Sequence, residues 1–537
     1  MLTFSTTLRV ALGSTVALYI TTPAVWAASH TSGSVYVRGN TADPETLDQH
    51  KTSTSYEANV LRDIYEGLVI YNEKAEVVPG VAESWEVSED GTTYTFTLRE
   101  DAKWSNGDPV TAEDFVFSFR RIMNPETGAK YANILYPIQG AEAVNKGEAE
   151  PDTMGVRAVD ERTLEITLEN PTPFFLELLT HQTGLPVHPP SVEEHGDDFV
   201  RPENIVNNGA YTLEEFTPNQ QIVVRKNPEF HAADEVAIEE VRFLPTEDRS
   251  AALRRFQAGE ILSNNDVPVD QVEFMRENLP DQYRVAPYLG TYYYSIKSDK
   301  EPFSDVNVRR ALSMAIDREF LAEEIAGDFL PATSFVPEGI SNYGSGDVPQ
   351  LEFAEQSMLD REDEAKRLLE EAGFGPDNPL EVEISFNTSE NHQRIATAIA
   401  DMWEPLGVEV TLSNTDTATH YANLRDGGDY DVARAGWIGD YNDPQNFLFL
   451  YESDNDGFNY SRYKSEEYDA LLDQAAAETD LNARAEILKQ AERMLLDEVG
   501  VVPLFYYTSQ SLVSPKLKGW EDNIQNVHPS RFMSIEE

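Results

Sequence analysis

Between Leu380 and Tyr441 the hydrophobic period of the chain switches repeatedly, and this constrains the fold more than any other feature. Leu380, Val382, Ile384 and Phe386 recur every second residue, the spacing of a strand with one buried face. Gln393 to Trp403 carries helical periodicity, Val408 to Leu412 is strand-like, a weaker helix spans about Thr417 to Arg425, and Tyr430 to Gly436 is a third strand. The order βαβαβ predicts parallel strands with helices packed on the sheet faces. Ligands of such sheets sit outside the carboxyl ends of the strands. Two segments occupy those ends, Asn387 to His392 after the first strand and Trp437 to Tyr441 after the third. The pattern alone nominates His392, Trp437 and Asp440.

Elsewhere the reading is also mixed α/β. Tyr94 to Leu98 and Leu164 to Leu168 alternate as half-buried strands. Between them Asn106-Gly107 marks a tight turn, and Thr111 followed by Glu113 and Asp114 opens a helix. A helix is predicted over Asp363 to Ala372, with Ala365, Leu368, Leu369 and Ala372 on one face and Gly373 as its stop, and another carries Ile487, Leu488, Ala491, Met494 and Leu495. A chain of 537 residues exceeds what one core supports, so at least two domains are required. No low-complexity linker separates them. Domains that share the chain back and forth place a binding crevice between them.

Residues 1 to about 28 read as a cleaved secretory signal: Arg9 in a polar start, an apolar stretch from Val10 to Ile20, and small residues closing at Ala27-Ala28. No later segment approaches the roughly 20 apolar residues a membrane span needs. The sequence has no cysteine, which excludes disulfides, thiolate metal sites, cysteine nucleophiles and a lipidated cysteine anchor. A freely diffusing periplasmic protein, not a lipoprotein, is expected. The 95 acidic and 41 basic residues give a net charge of -54, and no basic patch offsets it, so nucleic acid is excluded as a partner. Acidic pairs such as Glu370-Glu371, Glu239-Glu240 and Asp197-Asp198 read as solvating surface.

Motifs for chemistry are missing. The sequence holds no nucleophile elbow, phosphate loop, dinucleotide fingerprint or paired-histidine zinc motif. His181, His188 and His195 are spaced too widely for ligation from a helix, and Pro186, Pro189 and Pro190 argue against a helix there. Glu452 to Gly457 begins like a calcium loop, but the bidentate glutamate it needs is replaced by Tyr463. A non-enzyme without metal or cofactor is expected. In Tyr292-Tyr293-Tyr294 and Phe505-Tyr506-Tyr507, alternate rings fall on opposite strand faces, so one face of each is free to line a cleft.

Five segments carry a family resemblance that extends over nearly all of the chain after the signal: Pro79 to Trp85, Leu98 to Ser105, Asn208 to Tyr211, Thr291 to Tyr294 and Asp431 to Trp437. They resemble the periplasmic oligopeptide-binding proteins of ABC importers, within bacterial extracellular solute-binding protein family 5, and the last two point to the oligopeptide and murein-peptide branch. The resemblance implies an α/β, periplasmic-binding-protein-like receptor with two lobes around a hinge and an additional third domain. Domain I is implied over 29–65, 190–290 and 508–537, domain II over 66–189 and domain III over 291–507. Asp440 matches the aspartate that receives the terminal ammonium of the peptide. Ser55, Gly436 and Ile438 match positions whose main chain pairs with the extended ligand, Arg434 and His392 match residues that meet its carboxylate, and Tyr131, Trp437 and Tyr507 resemble cleft-lining aromatics.

The resemblance further implies a monomeric receptor that captures short peptides with little sequence selectivity and delivers them to the membrane permease of an ABC transporter. Departures concern which peptide is preferred. Ser313 stands where peptide-binding relatives carry lysine, Ser295 replaces an acidic residue after the tyrosine triplet, and a tryptophan before His420 is missing. A receptor selective for murein tripeptide in cell-wall recycling is the alternative within the class. A hydrolase or periplasmic chaperone using the same cleft is the alternative outside it.

Overall fold

The computed structural model describes residues 34–52, 54–268, 271–343, 348–455 and 457–536. The expected signal, residues 1–28, lies outside the described residues. The βαβαβ stretch folds as strands Leu380–Asn387, Val408–Thr415 and Val432–Ile438, the first lying between the other two and parallel to both. Helices Glu390–Trp403 and Thr417–Arg425 make the crossovers. The first of these buries Ile395, Ala396, Ile399 and Trp403 along one face, and Trp403 Nε1 donates to the Leu312 carbonyl at 2.9 Å.

This parallel unit is one end of a larger mixed sheet. Val432–Ile438 pairs antiparallel with Tyr283–Ile296, which pairs with Val502–Val513. The ladder continues through Ser263–Asn264, Val35–Gly39, Glu240–Leu244, Gln221–Lys226 and Tyr211–Thr217. Strands of 14 and 12 residues are long against the usual five or six. Their pairing shifts register between Pro287 and Thr291, where Pro287 has no N–H to give the ladder. Tyr283 and Leu512 pack in a small cluster with Ile261 and Met275, whereas Tyr292, Tyr293, Tyr294, Leu504 and Phe505 belong to a much larger one. Both strands therefore run from one hydrophobic cluster into another.

Two large cores result. An N-terminal core gathers Tyr36, Phe96, Phe115, Leu164 and Phe243, and includes one face of a separate four-stranded sheet ordered Ala82–Val87, Thr93–Leu98, Thr163–Thr167 and Val156–Ala158. Helix Ala112–Met123 covers that sheet, and Asp114 in its first turn accepts from the Thr111 backbone N–H at 2.9 Å. A C-terminal core gathers Tyr293, Phe335, Ile384, Trp403 and Leu488. Among the described residues no helix is long and apolar enough to cross a membrane.

Several local expectations are corrected. The prolines after His188 do not prevent a helix: Pro189 and Pro190 begin helix Pro189–His195, where the first turn needs no N–H partners, and His188 caps it. Glu240 is buried, not a solvating acid, because Arg225 and Arg242 close on its two oxygens at 2.8 and 2.5 Å. The helix expected from Asp363 starts at Met358 under a Ser357 cap. His392 lies in the first turn of helix Glu390–Trp403 instead of in the preceding loop, and Trp437 and Ile438 lie inside their strand.

Candidate functional site

Arg434 projects from strand Val432–Ile438 and is 8 % exposed. Its guanidinium is ringed by neutral groups. Nη1 donates to Asn387 Oδ1 at 3.1 Å and to the Tyr421 hydroxyl at 2.7 Å, Nη2 donates to the Tyr507 hydroxyl at 3.0 Å, and the group lies 4.7 Å from the centre of the Tyr292 ring. The Tyr292 hydroxyl reaches His392 Nδ1 at 3.2 Å. Burial, then the charge of Arg434, pushes the His392 pKa down to about 4, so this imidazole is neutral at neutral pH. His420 donates from Nε2 to the Arg434 carbonyl at 2.9 Å, which fixes the strand from behind.

Gly436 makes this arrangement possible. A Cβ there would lie 2.6 Å from the Tyr507 hydroxyl and 3.1 Å from Arg434 Nη2, closer than non-bonded atoms tolerate. The guanidinium and the phenol therefore close over the strand at Gly436. At Gly290, which pairs with Ile438, a Cβ would meet the Tyr507 ring and the Ile438 side chain. Ile438 itself is 47 % exposed.

Beyond the end of the same strand stands Asp440. Its backbone N–H donates to Asn446 Oδ1 at 3.4 Å, and the same oxygen accepts from Trp437 Nε1 at 2.8 Å. Asn446 thus ties the aspartate loop to the tryptophan, whose ring meets Phe449 and Phe458 edge-on. The carboxylate remains open to solvent, yet the surrounding walls remove enough water to raise its pKa above the ordinary value, against the opposing effect of a hydrogen bond from Tyr131. Tyr131 packs on the N-terminal core and stacks obliquely on His181 at 5.1 Å.

The nominated residues thus fall into two groups. Arg434, Gly436, Tyr507 and, through Tyr292, His392 form one, and Asp440, Trp437 and Tyr131 form the other. Ser55 is exposed at the start of helix Ser55–Ile64, and the side-chain hydrogen bonds and ring contacts of the two groups do not include it. Sequence reasoning missed Tyr421, which no periodicity separates from other helix residues, and gave no role to Asn387, although that residue opens the nominated loop. Of the tyrosine triplet, Tyr292 faces Arg434, and Tyr293 packs in the core against Phe335 and Tyr451. Ser313 is 1 % exposed and accepts from Arg318 Nη2 at 3.0 Å, so its hydroxyl serves the core. The histidines at 181 and 188 accept from neighbouring backbone N–H groups, and no cluster suited to a metal ion occurs among the described residues.

A sheet shared by two cores, with a lone carboxylate and a lone guanidinium at the end of its parallel strands, defines a solute-binding protein of the periplasmic-binding-protein-like α/β class. Residues 76–459 match the family described as bacterial extracellular solute-binding proteins, family 5 Middle, and the chain belongs to that family. The periplasmic oligopeptide-binding protein OppA of Salmonella typhimurium is 39 % identical over 508 residues, 93 % of this chain and 92 % of that one. The unliganded open form of the murein tripeptide binding protein MppA superposes with a TM-score of 0.89 at 40 % identity, covering 94 % of this chain and 97 % of that one. A second structure, of MppA from Escherichia coli, scores 0.71 at the same 40 % identity, covering 94 % and 99 %.

Proposed function

We propose that this protein captures short peptides in the periplasm and hands them to an ABC importer. One observation carries the reading: among the described residues neither Asp440 nor Arg434 has an ion-pair partner of opposite charge, and both lie along one strand end. Charges withdrawn from water need partners. A zwitterion with an ammonium at one end and a carboxylate at the other supplies both. Because the guanidinium closes over Gly436, four residues of chain separate it from Asp440, roughly 13 Å at strand rise. An extended tripeptide or tetrapeptide, at roughly 3.3 to 3.6 Å per residue, is of that length.

The exposed edge at Gly436 and Ile438 would accept the ligand as an added strand, binding its main chain without reading its side chains. Ser55 would supply a main-chain partner from the opposite wall. The domain partition at residues 65/66, 189/190, 290/291 and 507/508 places the hinge in the two long strands Tyr283–Ile296 and Val502–Val513, which are the segments running between clusters. Ligand then shifts an open to closed equilibrium, and the closed form docks on the permease. Export by a cleaved signal, absence of a lipid anchor and a monomeric state belong to the same proposal.

Mass spectrometry of ligands released by denaturing the purified protein tests it. Intact peptides of three or four residues are expected. Cleavage of an added peptide mixture would identify a hydrolase, and an absence of peptides together with no binding of trialanine in calorimetry would reject the reading. The length match also suits a murein tripeptide, and competition between it and an ordinary L-tripeptide separates the two ligands.

A further inference from the structure

Tyr441, the residue after Asp440, does not stay with its own strand. The preceding Val432, Ala433 and Ala435 belong to the C-terminal core, whereas the Tyr441 ring packs against the N-terminal core. There it stacks on Phe174 with ring centres 4.9 Å apart and planes only 5° from parallel. Phe174 precedes helix Phe175–Leu179, whose Phe175, Leu178 and Leu179 are part of that N-terminal core. The Arg484 guanidinium also lies against this pair, 5.6 Å from the Phe174 ring centre.

Arg484 comes from helix Leu481–Asp497 of the C-terminal core and donates twice to Asp443, at 2.8 and 2.7 Å. Both side chains are essentially inaccessible, at 1 % and 0 %. Between Tyr441 and Asp443, Asn442 is held by a pair of hydrogen bonds with Ser341, at 3.0 and 2.8 Å. Every residue of the loop following Asp440 is therefore fixed from one core or the other. A buried bidentate pair on a loop that reaches across two cores costs desolvation, and such pairs are kept where they fix geometry.

Resting on the peptide reading above, we propose that Tyr441, stacked on Phe174 and backed by the Arg484–Asp443 pair, is a positioning residue that sets Asp440 against Tyr131 and couples capture of the peptide ammonium to the relation of the two cores. Asp440 is adjacent in the chain to this stack, and the hydroxyl of Tyr131, whose ring packs on the N-terminal core, is close enough to oppose the rise in the Asp440 pKa. Any rotation of one core against the other moves Phe174 and Tyr131 together relative to strand Val432–Ile438. The stack keeps the Asp440 loop registered to that motion.

A double-mutant cycle with trialanine in calorimetry tests the inference. Tyr441→Leu and Phe174→Leu are each expected to weaken binding about three- to tenfold, the worth of an aromatic pair. The double variant should be no weaker than either single, and Tyr441→Phe, which keeps the stack, should bind like the wild type. Unchanged affinity in both leucine variants, additive losses, or a loss in Tyr441→Phe equal to that in Tyr441→Leu would each overturn the proposal. Should Tyr441→Leu fail to fold, Phe174→Leu and Tyr441→Phe still decide it. A wild-type protein that binds no trialanine would instead reject the peptide reading, a distinct result.

Discussion

The guanidinium of Arg434 and the carboxylate of Asp440 lie on one stretch of chain six residues apart, yet their surroundings are opposite in kind. Arg434 is almost wholly enclosed, with three side-chain hydrogen bonds and an aromatic face. Asp440 is open, and among the described residues Tyr131 is the side chain that steadies its charge. The arginine end is part of the folded core and is held ready whether or not ligand is present. On the proposed reading, the aspartate end is left for a peptide ammonium to complete. A receptor gains from this division, since one rigid terminus fixes register and one underpartnered terminus provides the driving force.

Removing the carboxylate gives the largest expected effect on that contrast. Asp440→Ala should weaken tripeptide binding by more than about a hundredfold, because breaking a desolvated charge pair costs about 3 to 5 kcal/mol. The melting temperature of the free protein should not fall, since Asp440 is raised in pKa and its ionised form is already disfavoured by the fold. Calorimetry and a thermal melt measure both, and normal peptide binding by the variant would break the site assignment. Arg434→Met should behave differently and lose both properties. It removes the hydrogen bonds that Arg434 gives to Asn387 and to the hydroxyls of Tyr421 and Tyr507, at about 1 to 3 kcal/mol of stability, while tripeptide affinity falls at least tenfold. An Arg434→Met protein as stable as wild type would show that the two ends are not as unlike as described.

Behind the aspartate end lies Glu177, which accepts from Tyr71 at 2.7 Å and faces the charge of Asp443. Burial, opposed by the Tyr71 hydrogen bond and reinforced by Asp443, pushes its pKa from 4.5 up to about 8. From pH 4.5 to about 8 the unfolded chain releases this proton and the folded protein keeps it, so stability declines across that window and levels above it. Glu177→Gln removes the titration. Its advantage over wild type should grow with pH to about 4 kcal/mol near pH 8, as read from chemical denaturation at several pH values; a constant difference would contradict a neutral Glu177. The smallest effect belongs to His392. With its pKa near 4, His392 meets a carboxylate only as a neutral donor, and His392→Gln should change tripeptide affinity by less than about tenfold, the upper worth of one neutral hydrogen bond. Its effect should also be the same at pH 6 and pH 8. A pH-dependent difference in that range would show a charged imidazole.

Local pattern was enough for the scaffold of the site. Periods of two and 3.6 are properties of neighbouring residues, so the βαβαβ order from Leu380 onward and the placing of His392, Trp437 and Asp440 near its strand ends were readable without coordinates. Turn and cap residues, being local, were readable for the same reason at Thr111 and Gly373. Strand and helix limits moved by a few residues where caps, not hydrophobic period, end an element, as at Ser357. The prolines at 189 and 190 misled because their effect depends on position within a helix, which the sequence does not mark.

The composition and spacing of this sequence determined that the chain is mixed α/β, has more than one core and carries candidate binding groups at one sheet end. Only tertiary structure decided which neighbours those groups have. Tyr292, Tyr421 and Tyr507 meet at Arg434 from a strand, a helix and a second strand, and Phe174 meets Tyr441 from the other core. Such meetings join residues far apart in the chain, so no periodicity records them. The same holds for charge: an acidic sequence contains both Glu240, closed by two arginines, and Asp440, left open. Burial and partner choice, which separate a structural carboxylate from one that awaits a ligand, arise only when the strands are laid side by side.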